Sequence, residues 1–562
     1  MPLSAQVSGA RDCPETQGTP VGPGIARLGG WPGVMLMLVL VLLTIGVRLA
    51  LAPAHEPLQH DEGISMMHAA GKSVVYDEMV HVEAPPIGTW TSAQVWNAYL
   101  IPDGLDLSAV ITSTTKSDLH PPLYFMLVDA WQSLFGTSRN AGWHLNIVFS
   151  IGTALVIYML GLRLTDSPIT AAVSAAAWAV LPGAVETSLT IRQYDMLALF
   201  TALIAWRAVV IAESEEPPRV KEYVALGLVC TLGLMSHIYF VLPMSGAFVW
   251  IAIKSFAHDR RRVGLVLGSM VLGFALAVAL NVDSFTIFGR TGRSGWDRTV
   301  HGMLLRAKAF FLTLLSGTGI TRTSLKGIFS AWASIGVRAE AVRVATAILG
   351  GVAAAVAVYL TRPSFGRLRQ SITRGGAALF MLGWLTLAVG AMYVSIPSLS
   401  PALGARYLAM TWPFVGLCIG VLGSALCRGR WLPVSLAAAW FVFAAFTANT
   451  IIPRFDPAVL RAASHVVLDN PARGVLLPYA DAASADTEFY AAWRDDLLAH
   501  PAPWLDRLQP GDLVVLAGIY QPSSTTEDEV LGLVEQRWVL EKVTLRGLRG
   551  SVFRVREAVE ES

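Results

Sequence analysis

From residue 34 to residue 452, apolar stretches of about 15 to 25 residues follow one another, bounded by charges or prolines, and most are long enough to cross a bilayer as a helix. Candidates lie at 34–52, 142–162, 169–182, 193–211, 223–236, 238–256, 263–282, 343–360, 376–396, 407–426 and 432–452, which makes about eleven crossings. In hydrocarbon every backbone N–H and C=O needs a partner within the protein, which confines such a chain to a bundle of helices. The expected fold class is therefore an all-α polytopic membrane protein with about 11 transmembrane helices. Composition points the same way: 54% of residues are hydrophobic and 15% charged, mean hydropathy is +0.53, and this excludes an ordinary soluble enzyme. A net charge of +2, spread through short loops, gives no reason to expect nucleic acid.

The stretch 123–135 is apolar but short, and it carries Asp129, which suits a helix lying in the membrane interface rather than crossing. With that assignment, the basic residues Arg163, Arg207, Arg219, Lys221, Lys254, Arg260 to Arg262, those of 362–374, and Arg428 with Arg430 fall on one side with the N-terminus. The positive-inside rule makes that side cytoplasmic. The opposite face then receives the long first loop 53–139, the turn 187–195, His237, the loops 283–338 and 395–407, and the segment beyond 453.

Residues 1–30, rich in Gly, Pro, Ser and Thr, read as a disordered cytoplasmic tail, and 34–52 reads as a retained helix rather than a cleaved signal. Residues 31–452 form the transmembrane unit. Residues 453–562 are more polar, with strand-like runs at 475–477, 513–516 and 552–555, and read as a small α/β extracytoplasmic domain. The four cysteines, Cys13, Cys230, Cys418 and Cys427, have no CxxC spacing and indicate neither a disulfide framework nor a zinc knuckle.

The residues capable of chemistry gather on the outer face. Asp61 and Glu62 follow the first span, and a carboxylate beside hydrocarbon tends to be a better base; the plainer reading of Asp61 is a helix N-cap. Asp118 and His120 precede Pro121-Pro122, which stiffen the entry to the interfacial helix or simply start it. Arg192, Tyr194 and Asp195 open a span at a depth where both charges need partners, each other or an outside group such as Asp61 or a substrate phosphate. Arg290, Arg293, Arg298, His301, Arg306 and Lys308, with Arg406 and Tyr407 on the same face, suit phosphate oxygens, whether of a substrate or of membrane lipids.

The Asp61-Glu62 pair, His120-Pro121-Pro122-Leu123-Tyr124, Arg192-Gln193-Tyr194-Asp195, Ser236-His237-Ile238-Tyr239 and Arg406-Tyr407-Leu408 stand in an order that resembles the multispanning glycosyltransferases of the GT-C fold. Within that fold they are most similar to the dolichyl-phosphate-mannose protein mannosyltransferases and the bacterial aminoarabinose transferase. The resemblance covers roughly 31–452 and leaves the C-terminal segment outside. It implies inverting transfer of a sugar from a polyprenyl-phosphate carrier to an acceptor glycan, lipid or protein at the outer face of a bacterial inner membrane. By the same likeness Asp61 takes the acceptor proton, Arg406 and Arg192 hold the departing phosphate, Asp195 orients hydroxyls, and Glu62, His120, Tyr194, His237, Tyr239 and Tyr407 line the cavity. Some members of the group use a divalent metal and others do not; no spacing such as HExxH requires one here, so metal stays open. Two other functions remain in view: a transporter or flippase, against which stand the nearly charge-free midspans, and an O-antigen-type polymerase or ligase, against which stands the early acidic pair.

Overall fold

The computed structural model describes residues 30–52, 60–78, 90–92, 98–117, 120–136, 141–282, 300–318, 375–395, 404–426, 473–477, 488–493, 505–511, 513–517, 524–543 and 550–559. The tail 1–29, the span candidates 343–360 and 432–452, Asp118, Arg290, Arg293, Arg298, and the side chains of Asp61 and His301 lie outside the described residues.

The helices in chain order are α1 (Gly30–Leu51), α2 (His60–Ala69), α3 (Ser73–Glu78), α4 (Leu107–Ser117), α5 (Leu123–Phe135), α6 (Ala141–Thr165), α7 (Pro168–Ala179), α8 (Pro182–Leu189), α9 (Tyr194–Ala212), α10 (Val220–Ser236), α11 (Val241–Ser255), α12 (Arg260–Leu280), α13 (Val300–Gly317), α14 (Gly376–Ser395), α15 (Gly404–Tyr407), α16 (Trp412–Leu426) and α17 (Ser524–Glu535). Among the described residues five helices are long and apolar enough to cross a membrane: Gly30–Leu51, Gly142–Thr165, Tyr194–Ala212, Ile238–Ser255 and Arg260–Leu280. The pair α7 and α8, bent by 57° where Pro182 opens the second helix, makes a sixth if it is one span. Gly376–Met392 and Leu408–Val421 are apolar but shorter. The protein is thus an integral membrane protein.

Local sequence explains the interruptions. α10 ends at Ser236 because His237 is extended (φ −163°, ψ 134°), and a short 3-10 turn, Ile238–Phe240, redirects the chain into α11. Phe240 folds back onto α10 at Gly233, where a Cβ would come within 2.4 Å of its ring. α5 has the 13-residue length expected for 123–135 and buries Tyr124, Phe125, Val128, Asp129 and Gln132 on one side. The Asp106 N–H donates to Asp129 Oδ2 at 3.1 Å, tying this helix to the first loop. Within the segment expected as an outer loop, residues 300–317 instead form α13, because Phe310 and its apolar neighbours give it a face to bury against α14.

Small residues set the tightest packing, as in other membrane bundles where close backbone approach replaces hydrophobic drive. Gly416 and Gly420 lie one turn apart on α16 and face Ser174 and Trp178 of α7, while Gly161 of α6 faces Ala171. Trp412 is fully buried between Gly183 and Gly317, at positions where a Cβ would come within 2.6 and 2.2 Å of its ring. α9 packs on α6, α10 and α11 and occupies the middle of the bundle.

Among the described residues there are six strands, β1 (Trp90–Ser92), β2 (Arg473–Leu477), β3 (Glu488–Trp493), β4 (Leu513–Ala517), β5 (Trp538–Val543) and β6 (Gly550–Ala558). They form one antiparallel sheet in the order β1-β3-β2-β4-β6-β5. Val514, Val530, Val534, Phe553 and Val555 form a small core where α17 packs on it. The sheet is not built from 453–562 alone, since β1 comes from the first loop, with Trp90 opposite Tyr490.

Gly420→Ala is expected to lower thermal stability by about 1–3 kcal/mol, because its Cβ would meet the backbone nitrogen of Ser174 at 2.8 Å. Gly423→Ala, with nothing within 4 Å, should leave the unfolding midpoint unchanged. Equal midpoints for the two variants would contradict the close-packed seam between α7 and α16.

Candidate functional site

The site is assembled around the turn at 190–193 that joins α8 to α9. Thr190 caps α8 in an extended conformation, and the Arg192 N–H donates to Thr190 O at 2.7 Å, closing a tight loop. Two side chains from other helices lock it. The Ile191 N–H donates to Glu62 Oε1 at 2.8 Å, and Asn146 Nδ2 donates to Thr190 O at 2.7 Å. Gly142 lets the turn sit down on α6, since a Cβ there would come within 2.1 Å of Ile191 Cγ2. Glu62 is buried, so its carboxylate is committed to this backbone contact, a charge-assisted bond of the stronger kind.

Asp195, in the first turn of α9, is fully buried and accepts a hydrogen bond from Ser150 Oγ at 2.7 Å through Oδ2. The cation that faces it is Arg48, in the last turn of α1. Asp195 also lies near the Tyr124 hydroxyl on α5, as do Glu62 and Arg192.

Above this layer five rings converge. His237 lies 5.4 Å from His120, 5.6 Å from Tyr194, 4.9 Å from Tyr239 and 6.3 Å from Tyr407, centroid to centroid. Tyr407 in turn lies 5.9 Å from Tyr194 and 5.4 Å from Tyr239. The Tyr239 N–H donates to His237 Nδ1 at 3.1 Å, so a neutral His237 carries its proton on Nε2. Arg192, buried in the turn, and Arg406, half-buried beside Tyr407, are the cations near the Tyr407 hydroxyl. α13, which carries Arg306 and Lys308, packs against the short helix α15 that presents Arg406.

The structure therefore brings Glu62, His120, Arg192, Tyr194, Asp195, His237, Tyr239, Arg406 and Tyr407 into one region. Asp61 lies in the first turn of α2, which begins at His60, so it stands inside the helix rather than at its cap. Three buried residues at the site were not singled out in the sequence: Arg48, Asn146 and Ser150. Arg48 carries a signal, a single charge inside an otherwise uncharged span; Asn146 and Ser150 carry a weaker one, two polar residues four apart on one helix face. Among the described residues no group of three or more His, Cys, Asp or Glu is placed to hold a metal ion.

Residues 119–282 match the family described as dolichyl-phosphate-mannose-protein mannosyltransferase, a segment of less than half the chain that contains every site residue except Arg48, Asp61, Glu62, Arg406 and Tyr407. Among solved structures, the protein O-mannosyltransferase Pmt1-Pmt2 complex of S. cerevisiae bound to the sugar donor is similar at 16% identity and a TM-score of 0.32, over 48% of this chain and 35% of that one. The chain thus spans about a third of that yeast protein. ArnT from Cupriavidus metallidurans, bound to undecaprenyl phosphate, is similar at 12% identity and a TM-score of 0.43, over 92% of this chain and 97% of that one. The oligosaccharyltransferase AglB from Archaeoglobus fulgidus, in complex with an inhibitory peptide and a dolichol-phosphate, gives 12% identity and a TM-score of 0.35, over 89% and 59%. No curated protein matches the chain. The mannosyltransferase and aminoarabinose-transferase groups are the two that the motifs resemble.

The bond from Ile191 to Glu62 predicts a difference between two substitutions. Glu62→Gln keeps an acceptor oxygen, whereas Glu62→Ala leaves a buried N–H without one, at a cost of about 1–3 kcal/mol. Thermal unfolding in detergent should show a clearly lower midpoint for the alanine variant; the reverse order would mean that Glu62 does not hold the turn.

Proposed function

We propose that this chain is an inverting glycosyltransferase that moves a sugar from a polyprenyl-phosphate carrier to an acceptor glycan, lipid or protein on the outer face of a bacterial inner membrane. The observation that carries the reading is the convergence of His120, Tyr194, His237, Tyr239 and Tyr407 with Arg192 and Arg406, on a turn bonded to Glu62, next to Asp61 in the chain. Aromatic faces beside a few placed polar groups suit a sugar ring, and arginine forks suit a phosphate.

In the reaction the acceptor oxygen attacks the anomeric carbon from the face opposite the phosphate. The carbon–oxygen bond to the carrier breaks, and its electron pair leaves on the phosphate oxygen. Asp61 takes the acceptor proton as the new bond forms. A phosphate ester departs as an anion, so cationic stabilisation by Arg406 and Arg192 replaces a general acid. The bond from the Ile191 N–H to the Glu62 carboxylate keeps α2 against the arginine-bearing turn, which supports Asp61 and Arg192 acting on one substrate. The basic character of the loops expected on the opposite side supports an extracytoplasmic site.

Purified protein incubated with a panel of labelled polyprenyl-phosphate sugars should transfer one of them to an acceptor. Binding without turnover across the panel would favour a transporter. Asp61→Asn should abolish transfer in a protein that still inserts and folds, because the amide keeps the shape and loses the base; near-normal transfer would remove Asp61 from the mechanism. Arg406→Ala should raise KM for the lipid donor by about 10-fold or more while leaving that for the acceptor nearly unchanged. Equal loss for both would indicate a packing role.

A further inference from the structure

Arg48 is fully buried at the end of α1, yet the sugar-transfer step gives it no part. Its guanidinium joins two other helices, α7 and α6. Nη1 donates to Ala179 O at 2.8 Å, filling a carbonyl left open where α7 breaks, and to Thr44 O at 3.4 Å. The plane lies over the Trp178 ring at 5.2 Å. Nε donates to Ser150 Oγ at 2.9 Å, and the Ser150 hydroxyl donates in turn to Asp195 Oδ2 at 2.7 Å. The serine thus accepts from the cation and donates to the carboxylate, a polarised chain in which each bond strengthens the next.

This chain occupies only one oxygen of Asp195. Oδ1 is buried and has no hydrogen-bond partner among the described residues. The same is true of the Gln193 amide and of Asn146 Oδ1, which belong to the same turn and to the helix that supports it. A buried carboxylate oxygen without a donor is costly, and so is a buried carboxylate without a cation. The first cost is removed when a donor arrives from outside; the second is met by Arg48.

We propose that Arg48 and Ser150 are positioning residues: they engage Oδ2 of Asp195 and hold it as a carboxylate, so that Oδ1 is presented as the acceptor for a hydroxyl of the bound sugar. The proposal rests on the glycosyltransferase reading for the identity of the ligand, and on the hydrogen-bond chain alone for the charge state. Around Asp195 the titratable groups are Arg48 from α1 and Tyr124 from α5, with Glu62 of α2 and Arg192 of the turn beyond Tyr124.

The test compares full-length Arg48→Gln with the unsubstituted protein, by turnover and by infrared spectroscopy without substrate. Loss of the cation should lower turnover by about 10- to 100-fold and produce the C=O band of a protonated carboxyl group. That band should vanish in Arg48→Gln combined with Asp195→Asn. Ser150→Thr, which keeps the hydroxyl, should retain most activity, and Ser150→Ala should not; this pair carries the test if Arg48→Gln does not fold. No carboxyl band, a band that survives Asp195→Asn, or equal loss in the two serine variants would overturn the proposal. A band that behaves as expected in a protein that transfers no sugar would leave the Arg48–Ser150–Asp195 hydrogen-bond chain standing and overturn the sugar-transfer reading instead.

Discussion

Buried charge in a membrane protein has to be answered by other charge or by hydrogen bonds, and here that requirement organises the site. Glu62 spends its carboxylate on the N–H of Ile191, and Asp195 is met by Ser150 and Arg48. Each contact joins segments far apart in sequence, the first across 129 residues. Together they bind α1, α2, α6 and α9 around one turn of backbone. Remove either and a charge is left in a low-dielectric interior without compensation, which costs far more than the intact contact contributes. The turn's shape, and with it the direction of Arg192 and Tyr194, depends on these two buried carboxylates.

On that foundation the aromatic cluster can be built from residues with no regular spacing. His237 enters because α10 stops short and the chain extends for one residue before the next turn; Tyr239 follows it and fixes its ring. Tyr407 enters from the short helix that precedes α16, held in place by the seating of Trp412 between two glycines. The breaks in the helices are therefore what supply the site, in keeping with the rule that irregular backbone at membrane depth belongs where protein or a cavity surrounds it.

Much of this was legible from residue order. The apolar runs correspond to helices wherever both are described, the short helix at 123–135 has the length read from its composition, and the break at Ser236-His237 is where the pattern changes. Motif residues separated by more than 200 positions fall together because each lies at the end of a span on one face. What was not legible has a common cause. Arg48, Ser150 and Asn146 sit inside apolar helices, where a lone polar residue gives no clue to its partner until the helices are packed. Trp90-Thr91-Ser92 is too short to show alternation, so its pairing with Phe489 and its neighbours was invisible. The helix at 300–317 was hidden by Arg306 and Lys308, which interrupt its apolar face.

The central proposal is that the turn at 190–193 and the short helix α15, which carries Arg406, grip one lipid phosphate from two sides. An experimental density map of the protein with a polyprenyl phosphate bound tests it most directly. The account requires the phosphate between Arg192 and Arg406, within reach of the Asp61 carboxylate and beside the rings of Tyr194, His237 and Tyr407. Phosphate density elsewhere in the bundle, or an Asp61 side chain turned away from it with no path between them, would contradict it.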